Sequence, residues 1–248
     1  MNKTKIDWCD STWNPVTGCL HGCEYCYARG IAERFGGKQK FANIFEENKP
    51  VIGLDGKALA YPHSFSPTLL RYRLNDYVGK KGRNIFVCSM ADLFGSWVPD
   101  NWIEEVFKAC EKAPQHNYLF LTKNPHRYVE LAEKGILRRY GNMWYGWTEV
   151  SDRKRPHILC FPYHVNTFVS VEPILDKVHP SLVDWIIVGA ETGRQKDKVI
   201  PKREWIERIV EDCRKYEIPL FMKSSLAEIW GEPLIQEFPK ELKRSRAV

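Results

Sequence analysis

The chain has 248 residues, of which 44% are hydrophobic, and its 37 Lys and Arg against 31 Asp and Glu give a net charge of +6. That length suits one large domain over 1–248, an α/β barrel included, with enough apolar residues for a substantial core. No apolar run approaches the length that spans a bilayer, and residues 1–10 lack the apolar segment of a secretory signal, so a cytoplasmic protein with no membrane partner is expected.

Residues 1–18 read as an extended lead-in ending in a turn, with Trp8, Trp13 and Pro15 as packing residues. The run Thr17-Gly18-Cys19-Leu20-His21-Gly22-Cys23-Glu24-Tyr25-Cys26-Tyr27-Ala28 follows. In so short a loop, three thiolates can wrap one face of a cube-shaped iron–sulfur cluster, because the glycines let backbone approach the inorganic core. A four-iron cluster would keep one iron without a protein ligand, and that iron is where chemistry can occur. Structural zinc is the competing reading. It normally takes four ligands, no second Cys-x-x-Cys or His pair follows, and His21 lies between two of the cysteines where the same turn cannot easily point it inward. Disulfides are disfavoured in a chain with no secretory signal. The other cysteines, Cys9, Cys88, Cys110, Cys160 and Cys213, are scattered and read as buried thiols.

A helix is expected over 27–35, stopped by Gly36-Gly37. Residues 36–66, rich in Gly, Asn, Pro and Lys, read as an inserted loop whose Phe41, Phe45, Tyr61 and Phe65 could stack on bases. Buried strands are expected at 84–89, 118–121, 143–147, 167–171, 185–188 and 219–222, with helices at 102–112, 126–134 and 204–216. Strands alternating with helical or connecting segments predict βα units and parallel strands. With the lead-in, about six or seven strands result, short of the eight of a closed barrel, so the fold class is α/β, a partial, open-sided (β/α) barrel. The tail 240–248 sets Lys240, Lys243, Arg244 and Arg246 against Glu241, a net +3 that holds half of the basic excess; such a tail can attract nucleic acid, and its plainer reading is a solvated, frayed end.

In such barrels the working face is built by loops at the carboxyl ends of the strands. Polar residues gather there: Ser89 and Asp92; Thr122 and Lys123; Thr148, Glu149 and Ser151; Ser170 and Glu172; Glu191 and Thr192; Lys223 and Ser224. Each alone could merely cap a helix or tie a loop. Six such groups on consecutive strand ends predict one polar mouth shared with the cysteines.

The spacing Cys19-x-x-x-Cys23-x-Tyr25-Cys26 resembles the cluster-binding signature of the radical S-adenosylmethionine (SAM) superfamily. The flanking Trp13-Asn14-Pro15-Val16-Thr17-Gly18-Cys19 and Cys26-Tyr27-Ala28 are similar to an uncharacterised, often phage-encoded family within it. The similarity continues through Leu121-Thr122-Lys123, Val171-Glu172-Pro173 and Val188-Gly189-Ala190-Glu191. The resemblance implies an open-sided barrel, a [4Fe–4S] cluster on Cys19, Cys23 and Cys26, and SAM bound through its amino and carboxyl groups to the open iron. It also implies an external electron donor of the flavodoxin or ferredoxin type, and reductive cleavage of SAM to a 5′-deoxyadenosyl radical that abstracts hydrogen.

Roles then follow from chemistry. Ser89 and Asp92 lie where the superfamily binds the SAM ammonium, although the glycine-glycine-glutamate usual there is missing. Lys123 is the cation for the carboxylate, and Glu149, Ser151 or Ser170 suit the ribose hydroxyls. Gly189 and Gly193 bracket Glu191 and could admit adenine or substrate close to backbone. Glu172 and Lys223 would serve the substrate, and Cys88 could donate a hydrogen atom or be a plain apolar strand residue. Two functions are expected to compete. One is a radical SAM enzyme altering a nucleotide or a nucleic-acid base, supported by basic charge and aromatic content, though no recognised nucleic-acid-binding motif is present. The other is a non-catalytic module stapled by zinc and acting through a protein or nucleic-acid partner.

Overall fold

The computed structural model describes residues 4–36, 49–154, 165–192, 198–231 and 233–242. Its strands are β1 (Ser11–Trp13), β2 (Val16–Thr17), β3 (Thr68–Leu69), β4 (Asn84–Val87), β5 (Asn117–Thr122), β6 (Met143–Thr148), β7 (Asn166–Val171), β8 (Ile186–Val188) and β9 (Leu220–Met222). Helices are α1 (Tyr27–Gly36), α2 (Asp100–Glu111), α3 (His126–Glu133), α4 (Arg203–Lys215) and α5 (Ala227–Trp230). Seven strands form one all-parallel sheet in the order β1-β4-β5-β6-β7-β8-β9, curled into a half-barrel. The expected open-sided α/β barrel is therefore present. β2 and β3 pair antiparallel as a separate short ribbon.

Successive side chains on a strand point to opposite faces, and that period of two sorts the core. Ile85, Val87, Tyr118, Phe120, Met143 and Tyr145 face outward onto Ile103 and Phe107 of α2 and Tyr128 and Leu131 of α3. Val169, Val171, Ile186, Val188, Leu220 and Met222 meet Ile206, Ile209 and Cys213 of α4. The opposite phase, Phe86, Leu119, Trp144, Phe168, Ile187 and Phe221, fills the inside of the curl together with Trp8 and Trp185. Gly146 belongs to that inner phase, and the ring of its cross-strand neighbour Phe168 occupies the space a β-carbon would need.

Both ends of the chain complete the barrel. Before β1, Asp7 accepts a hydrogen bond from the Ser224 amide beyond β9 at 2.9 Å, and Trp8 inserts into the interior. At the amino ends of the strands, Asn84 Nδ2 donates to the Leu242 carbonyl (2.8 Å) and Asn117 Nδ2 to that of Glu241 (3.0 Å). Leu242 is only 1% exposed, which corrects the expectation of a frayed tail for its first residues; 243–248 lie outside the described residues.

Other departures are local. The connection 172–185 between β7 and β8 contains no helix, so strand and helix do not alternate throughout. Of the insertion at 36–66, residues 37–48, including Phe41 and Phe45, lie outside the described residues. Phe65 is 7% exposed, buried with Ala28, Ala32 and Met90, with the Arg29 guanidinium 5.1 Å from its ring centre, and it lines the cavity described below rather than an open surface. Among the described residues no helix is long and apolar enough to cross a membrane.

Candidate functional site

Continuing each inward phase past its strand turns an apolar floor into a polar wall. Leu119 is followed by Leu121 and Lys123, Trp144 by Gly146 and Thr148, and Phe168 by Ser170 and Glu172. Ile187 is followed by Gly189 and Glu191, and Phe221 by Lys223 and Ser225. The wall encloses a cavity of about 420 Å³ whose floor includes Trp8, Phe86 and Leu121. Lys123, Thr148, Ser170, Glu172, Glu191, Lys223, Cys19, Cys23 and Cys26 all line it.

The cysteine loop is seated by backbone. Gly18 has φ +85° and its amide donates to the Met90 carbonyl at 3.0 Å, while the Cys19 amide donates to Phe65 O at 3.2 Å. A β-carbon on Gly18 would collide with the Ser66 carbonyl, so this entry to the loop needs glycine twice over. Cys26 precedes α1, and its sulfur accepts the Arg29 N–H at 3.4 Å. Burial pushes the Cys19 thiol up to about 11, so its proton must leave when a metal takes the sulfur. Among the described residues no three His, Cys, Asp or Glu groups converge as a single metal ion would require. His21, which lines the same cavity, is engaged by another group: its Nε2 donates to Asp92 Oδ2 at 2.7 Å.

Several expected residues reach the cavity already engaged. Lys123 Nζ lies 5.3 Å from the centre of the Tyr25 ring. Ser89 Oγ donates to Asn14 Oδ1 (3.2 Å), which also accepts the Met90 amide (2.9 Å). Lys223 pairs with Glu172 across the end of β8. A β-carbon on Gly189 would lie 3.0 Å from Lys223 Cδ and 3.3 Å from Glu172 Cδ, so glycine there makes room for the pair. Glu191 accepts the Val199 amide at 3.2 Å. Asp92 accepts from Thr122 Oγ1, the Phe94 and Lys123 amides and His21, which leaves no lone pair for the ammonium that sequence reasoning gave it.

Three expected residues lie away from the cavity. Cys88 follows β4 with φ +58°, is 2% exposed in the outer core, and has its thiol pushed up to about 12 by burial. Glu149 and Ser151 share the outward phase of Trp147. Glu149 accepts from Trp147 Nε1 (2.9 Å) and Ser181 Oγ (2.6 Å), and Ser151 is buried without lining the cavity. Gly193 lies outside the described residues. Sequence reasoning missed Lys5, Asp7 and Tyr25 as lining residues and Asn14 as the anchor of the turn at 89–90. Asn14 carried a signal in its Asn-Pro pair before the loop, whereas nothing local marks Asp7, whose partner is 217 positions away.

In comparisons with known proteins, no curated protein and no solved structure matches the chain. A family profile does match, over residues 3–244, and the chain accordingly belongs to the family described as "Protein of unknown function (DUF5131)".

Proposed function

We propose that this chain is a radical SAM enzyme that uses a [4Fe–4S] cluster on Cys19, Cys23 and Cys26, with a nucleotide or nucleic-acid base as its substrate class. The observation that carries the reading is that the three thiols open into the same strand-end cavity as Lys123, Ser170, Glu172 and Lys223. The donor set fits a cluster with one open iron better than four-ligand zinc. It offers three soft sulfurs beside free volume, and the one imidazole in the loop is committed to Asp92. A cluster with SAM supplies, when bound, reductive carbon–sulfur cleavage and a carbon radical able to take hydrogen from a substrate.

The chain's own residues would bind and orient. The Lys123 ammonium, held against the Tyr25 ring, offers itself to an anionic group such as the SAM carboxylate. With Asp92 filled, the SAM ammonium falls to Glu191 or Glu172, the other strand-end carboxylates in the wall. Ser170 and Thr148 present hydroxyls at paired positions of β7 and β6, suited to ribose. The apolar floor of Trp8, Phe86 and Leu121 keeps water from beneath the reacting groups. The electron would come from an external donor of the flavodoxin or ferredoxin type, and the basic net charge of +6 supports a phosphate-bearing substrate.

The test is anaerobic loading with iron and sulfide, reduction in the presence of SAM, and mass analysis of the nucleosides released. A brown protein that yields 5′-deoxyadenosine is expected, Cys23→Ala abolishes the yield, and Lys123→Met weakens SAM binding about tenfold, the scale of one lost charged hydrogen bond. Nucleoside and oligonucleotide pools added to the same reaction identify the substrate. A fully loaded sample that releases no 5′-deoxyadenosine overturns the reading, as does a colourless protein that holds only zinc at the three cysteines.

A further inference from the structure

Asp92 is 5% exposed, yet it borders the cavity and joins three separate stretches of chain. Its Oδ1 accepts from Thr122 Oγ1 at 2.7 Å and from the Phe94 amide at 3.0 Å; its Oδ2 accepts from the Lys123 amide at 2.9 Å and from His21 Nε2 at 2.7 Å. Because a carboxylate only accepts, the His21 proton on this contact sits on Nε2. His21 is held from a second side by a T-shaped contact with Trp97, with ring centres 4.8 Å apart. Trp97 folds over Gly95, where any β-carbon would collide with the indole. The imidazole is thus fixed between a saturated carboxylate and an indole, and it stands midway along the chain between Cys19 and Cys23.

The same carboxylate sets the backbone of Lys123, whose ammonium then reaches back over Tyr25 of the cysteine loop. Two cross-links therefore tie the loop to the end of β5, one through His21 and Asp92 and one through Tyr25 and Lys123. We infer that Asp92 and His21 are positioning residues for the cysteine loop, holding Cys19 and Cys23 at a set distance from the Lys123 ammonium. The inference rests on the reading that the three cysteines bind a metal group, but not on which group it is.

The experiment uses the full chain, reduced and metal-free, under anaerobic conditions. The rate at which iodoacetamide alkylates Cys19, Cys23 and Cys26 is followed peptide by peptide for the wild type, His21→Ala, His21→Gln and Asp92→Asn. Iron bound per chain after loading with ferrous iron and sulfide is measured alongside. In His21→Ala, alkylation of Cys19 and Cys23 rises about tenfold, the scale of one lost charge-assisted hydrogen bond, and iron uptake falls. His21→Gln, whose amide can still reach Asp92 from the Nε2 position, restores both. That rescue separates positioning from a simple loss of fold, and it keeps the test valid if Asp92→Asn fails to fold. Alkylation that is the same in the wild type, His21→Ala and His21→Gln overturns the inference. So does normal iron loading in His21→Ala, which would leave the cluster reading standing. The alkylation contrast in a chain that takes up no iron upholds the tether while the cluster reading falls.

Discussion

His116 sits at the entry to β5, fully buried, with Nε2 donating to the Tyr77 carbonyl at 3.0 Å. Its ring makes T-shaped contacts with Tyr77 and Tyr118, ring centres 5.6 and 6.0 Å apart, and among the described residues Nδ1 is buried with no partner. Protonation would add both a charge and an unsatisfied N–H, and burial accordingly lowers the pKa from its usual value. A lowered folded-state pKa means that the unfolded chain takes up the proton first. The stability tied to neutral His116 is therefore complete above about pH 6.5 and is lost as pH falls from there toward the folded-state pKa. Urea unfolding midpoints should drop between about pH 7.5 and about pH 5.5, above the range where most carboxylates titrate. His116→Gln, which can keep the bond to Tyr77 without the titration, should flatten that drop; an equal drop in the variant would show that another group carries it. Nothing in the sequence distinguishes this histidine from the others, because its surroundings include Tyr77, 39 positions away in the chain.

At the scale of an element, β6 carries the clearest conflict between local preference and packing. Gly146 weakens an isolated strand, and alanine there would be favoured on backbone grounds. Opposite it, however, the Phe168 ring fills the missing side-chain volume. Gly146→Ala should therefore destabilise by about 1–3 kcal/mol through overpacking, measured by chemical denaturation, and Phe168→Leu in that background should recover part of the loss. A gain in stability from Gly146→Ala alone would refute this account. The main strands and helices α1 to α4 were legible because their apolar runs and amphipathic spacing are long enough to register. The ribbon β2–β3, with two residues in each strand, and the single-turn α5 were not, because elements that short have no period to read.

Across the whole molecule, the half-barrel separates stability from chemistry. Leu242 joins the inner core at the amino ends of the strands, while the cysteine-lined cavity opens at the carboxyl ends. Leu242→Ala should cost about 2–5 kcal/mol in unfolding free energy and leave the relative alkylation rates of Cys19, Cys23 and Cys26 unchanged. A changed alkylation pattern would show that the two ends are coupled. The same architecture decides what could be read from the chain alone. Apolar runs specified the parallel strands, and three cysteines close together specified a shared wall, since both are properties of contiguous residues. Which strand-end residues face the cavity depends on phase, and one step moves a side chain to the other face, as it does for Glu149 beside Thr148. Whether Asp92 can still accept a ligand depends on donors that arrive from elsewhere, His21 among them, 71 positions away. Sequence alone therefore determined the longer elements and the cysteine motif. Tertiary structure decided orientation and hydrogen-bond vacancy, because both are set by contacts between residues far apart in the chain.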